Sequence, residues 1–170
     1  VGADGPTHAG SFDTTYLTTL PNFIVMAASD EAELVRMINT STEINDRPCA
    51  FRYPRGTGLG STLPSINEKI EIGKSKIIKE GKKLAILNFG ARLSETLKAA
   101  ENLSKKGVLI TVVDARFAKP LDENLIWQLA TTHEAIMTIE EGSIGGFGSH
   151  VVNFLTKKGL MDSNLKFRSL

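Results

Sequence analysis

The chain has 170 residues, enough for one domain or two small ones, with 41% hydrophobic and 23% charged residues, both ordinary for a globular protein. A formal net charge of +1 provides no basic surplus for nucleic acid or an anionic membrane surface, and no apolar run is long enough to span a bilayer. The single cysteine, Cys49, excludes an internal disulfide; with three scattered histidines it forms no zinc-type ligand set, and it points to a reducing compartment.

The first stretch, "VGADGPTHAGSFD", has the texture of a glycine-rich loop. Gly2, Gly5 and Gly10 let the backbone turn tightly and approach a ligand. "NFIVMAA" (22–28) is a short apolar run suited to a buried strand. Ser29 is the expected N-cap of a following helix, with Asp30 and Glu31 in the first turn and Leu34, Met37 and Ile38 on one face. Cys49, Ala50 and Phe51 form a second strand, stopped by Pro54 and Gly56. Strand, helix and strand at this spacing read as a parallel βαβ unit. From Gly56 to Gly73 the composition becomes that of a linker.

The α/β rhythm then resumes. "KSKIIKEG" reads as an edge strand with a turn at Gly81, and Leu84–Asn88 as a buried strand. A helix is expected over about 91–106, closed by Gly107. "VLITVVDA" is rich in β-branched residues, as parallel strands are. A short helix over 122–130, a strand at "AIMTIEE" and a helix over 146–158 follow, and "LKFRSL" begins one more strand. The expectation is an α/β protein of two three-layer units with mainly parallel sheets.

Three groups of residues could carry chemistry. Asp4 and His8 lie in the first loop, and histidine is the side chain best suited to proton transfer near neutral pH. A capping aspartate and a surface histidine fit the same spacing equally well. Arg52 and Arg55 flank Tyr53-Pro54 in "RYPRG", where a rigid turn fixes the direction of Arg55. The planar fork of arginine suits phosphate or carboxylate, although a solvated arginine pair is the plainer reading of that motif alone. "EEGSIGGFGSH" has the look of a phosphate loop, but its spacing fits neither the Walker pattern nor the dinucleotide fingerprint. A tight strand-to-helix turn is the better reading, with Glu140 and Glu141 as strand-end and helix-dipole partners. His133 and His150 read as structural, Cys49 as a small core residue, and Trp127 as core or interface.

Taken in order, "GADGPTHAGSFD", "SDE", "AFRYPRG", "KKLAILNFG", "VVDARFAKPLD" and "EEGSIGGFGS" resemble the 1-deoxy-D-xylulose-5-phosphate synthase family, one of the transketolase-like thiamine-diphosphate enzymes. "DGPTH" is shared with transketolases, and the last two motifs with the β subunits of 2-oxoacid dehydrogenases. "AGSFD" and "RYPRG" favour the synthase.

The resemblance implies a partial pyrimidine-binding domain over 1–60, a linker over 61–73 and a C-terminal domain over 74–170, truncated at its end. It implies condensation of pyruvate with D-glyceraldehyde 3-phosphate, with loss of carbon dioxide, in non-mevalonate isoprenoid synthesis. By resemblance, Asp4 and His8 are the catalytic pair that touches substrate hydroxyls and intermediates, and Arg55 grips the acceptor phosphate. Thiamine diphosphate and Mg2+ are the implied cofactors, with their binding residues mostly outside this chain. The chain is expected to be a piece that is inactive alone, from an enzyme that is a homodimer when complete. The cytoplasm is the expected compartment, or a plastid in a eukaryote. A transketolase-type ketol transferase, a 2-oxoacid dehydrogenase β-subunit-like chain and a non-catalytic dimerisation module are the competing readings.

Overall fold

The computed structural model describes residues 5–8 and 10–170. After a short 3-10 turn at Pro6–His8, the N-terminal segment forms α1 (Asp13–Thr19), β1 (Ile24–Ala27), α2 (Glu31–Ser41) and β2 (Cys49–Arg52). The rest forms β3 (Lys76–Lys79), β4 (Leu84–Phe89), α3 (Leu93–Ser104), β5 (Thr111–Asp114), β6 (Phe117–Lys119), α4 (Glu123–Thr132), β7 (Ala135–Glu140), α5 (Phe147–Lys157), a 3-10 turn at Leu160–Asp162 and β8 (Lys166–Ser169). The α/β class is as expected.

The described residues form two sheets. One has the order β2-β1-β6, and the other β3-β5-β4-β7-β8. β1 runs parallel to β2, pairing Ile24 with Cys49, so the βαβ reading holds. In the larger sheet β4 is parallel to β5 and β7, β7 is parallel to β8, and only the edge strand β3 is antiparallel. The smaller sheet is mixed rather than mainly parallel, because β6 crosses over from the C-terminal segment and pairs antiparallel with β1.

Alternation of side chains along β1 explains how the layers join. Ile24 and Met26 face one way and pack with Met37 of α2, Ile70 and Phe117. Val25 and Ala27 face the other way, into a cluster with Leu87 and Phe89 of β4, Ile126 and Leu129 of α4 and Val151 and Leu155 of α5. One core therefore spans both sheets. On the far face of the larger sheet, Leu93 and Ala100 of α3 cover Ile86, Ile110 and Val112.

Several local expectations change. Asp30, not Ser29, is the N-cap of α2: its backbone is extended and its carboxylate accepts the Glu33 N–H at 2.7 Å. Ser29 is drawn away by a buried partner described below. α1 is unexpected, because four of its seven residues are threonine, a weak helix former. It forms where tertiary contacts bury Thr14 and Thr18. The strand at "VLITVVDA" shortens to Thr111–Asp114, and the chain turns at Arg116 (φ 58°) into β6. Gly107 closes α3 in the left-handed region as expected (φ 80°), with its N–H on the Ser104 carbonyl.

Candidate functional site

In parallel sheets ligands gather beyond the carboxyl ends of the strands. Here the carboxyl ends of β1 and β2 face those of β4 and β7. Ala28 and Tyr53 from one sheet, and Gly90 and Glu141 from the other, line a narrow shared cleft. The approach is close: Gly90 has φ 90°, and a Cβ there would lie 3.2 Å from that of Ala27. A larger open cleft adjoins it, walled by Asp30, Glu31 and Leu34 on one side and Tyr53, Arg55 and Leu59 on the other.

The two arginines of "RYPRG" differ in role. Arg52 is a tether. Its guanidinium donates to the Gly10 carbonyl at 2.8 Å and to the Glu141 carbonyl, and it pairs with Asp13 at 3.1 Å. It therefore fixes the segment carrying His8 and the loop after β7 to the end of β2. Arg55 lies three residues on, beyond Pro54, exposed on the rim of the larger cleft. A guanidinium on the rim of a cleft is of the chemical type that recognises anions.

His8 is exposed in the short 3-10 turn. Its Nδ1 shares a hydrogen bond with the Thr7 hydroxyl at 3.0 Å, and its N–H donates to the Gly5 carbonyl at 3.1 Å. Asp4, the other member of the expected pair, lies outside the described residues.

The loop 141–146 is no phosphate cradle. Both oxygens of Glu140 accept from the first turn of α5, at 3.0 Å from Phe147 N–H and 2.8 Å from Gly148 N–H. An internal carboxylate thus takes the place of an external anion, and the helix-dipole reading of Glu140 holds. Glu141 forms an ion pair with Arg92. His150 joins α5 to α1 through the Thr18 hydroxyl at 2.8 Å; burial first, then the Lys119 ammonium, keeps its imidazole below the usual histidine range. His133 bonds the Thr111 hydroxyl at 2.8 Å, and burial lowers it too. Both histidines are structural, as expected. Cys49 packs against the α2 side of the core, and burial pushes its thiol up. Trp127 is exposed on α4 rather than core.

One cluster escapes sequence reasoning. Asp114, at the end of β5, is almost wholly buried and accepts from the Ser29 hydroxyl at 2.6 Å and the Arg116 N–H at 3.2 Å. Burial pushes its carboxyl up to about 6; the Ser29 bond opposes this, and the charge of Glu33 adds to it. Glu33 in turn pairs with Arg116 at 2.8 Å and with Arg36 at 3.0 Å. The only linear signal is an acid closing the β-branched run "TVVD" and another in the first turn of a helix. Their partners lie 83 and 85 residues apart, beyond the reach of any local pattern.

The described residues contain no group of three His, Cys, Asp or Glu side chains that could hold a metal. They do not fit a metal–diphosphate cradle. No helix among them is long and apolar enough to cross a membrane.

Comparison with known proteins agrees with this geometry. The transketolase pyrimidine-binding domain matches residues 1–58, and the transketolase C-terminal domain matches residues 73–170. A solved split-gene transketolase, described as an inactive β4 tetramer, superposes with a TM-score of 0.80 at 28% identity, covering 95% of this chain and 52% of that one. Transketolase from Campylobacter jejuni subsp. jejuni NCTC 11168 gives 0.63 at 20% identity, covering 99% of this chain and 25% of that one, which supports the fold. The chain thus spans about half the length of the first of these relatives and a quarter of the second. With its α/β order and both domain matches, the chain belongs to the transketolase family, carrying the pyrimidine-binding and C-terminal domains.

Proposed function

We propose that this chain is part of a thiamine-diphosphate-dependent synthase that condenses pyruvate with D-glyceraldehyde 3-phosphate to 1-deoxy-D-xylulose 5-phosphate and carbon dioxide. The observation that carries the reading is Arg55, held after Pro54 at the carboxyl end of β2 and facing an open cleft. A triose phosphate needs a fixed cation, and a guanidinium fork supplies it. The "AGSFD" and "RYPRG" motifs favour this acceptor over a ketol-transfer partner. Thiamine diphosphate, with Mg2+, would supply the carbanion chemistry, held mainly by residues other than those described. In this reading His8, with Asp4, moves protons at the acceptor oxygens, and Arg52 holds their loop against β2. The chain contributes acceptor binding, and turnover requires the rest of the enzyme, in which two copies pair.

The test is direct binding. Calorimetric titration of the chain should show D-glyceraldehyde 3-phosphate binding and no binding of unphosphorylated D-glyceraldehyde. Arg55→Ala should weaken the phosphorylated ligand by about ten- to a hundredfold, the value of one charge-assisted contact. Arg55→Lys should restore part of that, since it keeps the charge and loses the fork. Equal affinity in wild type and Arg55→Ala would refute the assignment.

A further inference from the structure

Residues 59–61 form a cradle of backbone donors around one carboxylate. Leu59 N–H donates to Glu31 Oε2 at 3.0 Å, while Gly60 N–H and Ser61 N–H donate to Oε1 at 2.5 and 2.8 Å. Beside it, the Ser61 hydroxyl donates to Asp30 Oδ2 at 3.0 Å. The fit depends on glycine: a Cβ on Gly58 would lie 2.9 Å from Glu31 Oε1, and Gly60 sits at φ 82°. The Glu31 carboxyl is held below the ordinary glutamate range, first by its own backbone N–H and then by those of Leu59, Ser61 and Gly60, against some desolvation. A concave run of N–H groups is an anion site, and here the anion comes from the chain itself.

The position of this cradle gives it a purpose. Arg52 is pinned at one end of the turn by Gly10, Asp13 and Glu141. Leu59 to Ser61 are pinned at the other by Glu31. Arg55 lies in the span between, which has no helix or strand of its own. A short span with both ends fixed explores far fewer conformations than one with a free end.

We propose that Glu31 is the positioning residue for the anion site at Arg55: its carboxylate, seated in the Leu59–Ser61 cradle, holds the turn so that the guanidinium is pre-ordered for a phosphorylated substrate. The substrate part of this rests on the reading of Arg55 given above. Glu31 does not touch the ligand. Its charge lies on the wall of an anion-binding cleft, so electrostatics alone would make its removal tighten anion binding. Positioning predicts the opposite sign.

Glu31→Gln removes the charge and replaces one acceptor oxygen with a donor. Gly58→Ala keeps the charge and crowds the carboxylate, which must shift in its cradle. Both are made in the full chain, with inorganic phosphate as the probe and NMR as the readout. Both variants should lose amide protection at residues 59–61 and lower the order of the Arg55 Nε–H signal. Both should also weaken phosphate about tenfold, a factor comparable to ordering one residue. Unchanged or tighter phosphate binding in Glu31→Gln overturns the proposal. So does an Arg55 Nε–H signal whose order is the same as in wild type. Should wild type and Arg55→Ala prove equally blind to phosphate, the anion-site reading fails, and the order of Arg55 still decides whether Glu31 positions it.

Discussion

Asp114 carries the most testable pH dependence. A carboxyl raised to about 6 in the fold, from an ordinary value of 3.8, binds its proton more tightly folded than unfolded. Its contribution to stability is therefore greatest below the ordinary carboxylate range, and it declines as pH rises through about 6. The groups facing it are Ser29, Glu33 and Arg116. Asp114→Asn keeps an oxygen for the Ser29 hydroxyl and removes the charge. Subtracting the unfolding free energies of wild type and variant should isolate a slope between about pH 4 and 6, favouring the variant by up to about 3 kcal/mol at pH 7. A difference that stays flat across that window would mean that Asp114 does not titrate between folded and unfolded states in this way. At this scale the sequence is legible for residues that act on near neighbours, such as Gly107 as a helix stop and Glu140 at the start of α5. Ser29 misleads because its partner is Asp114, a residue on another sheet.

Among the elements, β6 holds the halves together. It has three residues, yet Phe117 packs with Met26 and Met37 and pairs with Met26 in register. Phe117 is 1% exposed. Phe117→Ala should cost about 3–5 kcal/mol, the usual value for emptying a buried aromatic site. The loss should be uneven. Hydrogen exchange at Val25 and Met26 of β1 should rise more than at Ile86 and Leu87 of β4, because β4 keeps both of its neighbours. Uniform acceleration across the two sheets would contradict this view of β6. Elements with a strong internal period, such as α3 and α5, can be read from the chain within a few residues. β6 and α1 cannot: the first is too short to show a period, and the second is threonine-rich and stands on contacts made elsewhere.

For the whole molecule, the shared core sets the cooperativity. Val25 and Ala27 of the smaller sheet lie in the same cluster as Leu87, Val151 and Leu155. The Asp114–Ser29 and Arg116–Glu33 contacts add polar links along the same seam. Units that share buried surface this way should unfold together. Calorimetry of the chain should show one transition, with calorimetric and van't Hoff enthalpies in agreement, despite the linker composition of 56–73. Two resolved transitions would show that the halves are energetically separate. Composition points to a break in the chain at that stretch. It cannot show that Val25 and Ala27 turn their side chains toward helices far along the chain.

The turn between β5 and β6 has a further consequence for motion. β5 ends at Asp114 in the larger sheet, and β6 starts at Phe117 in the smaller one. Three peptide units reach at most about 11 Å even when fully drawn out, and Arg116 is clamped to Glu33 within them. That link keeps the ends of β5 and β6 close together, and the core shared by Val25, Ala27, Leu87 and Phe89 joins the same two sheets away from it. The 53–61 segment, which has no helix or strand of its own, is anchored to this frame at Arg52 on one side and at Glu31 on the other.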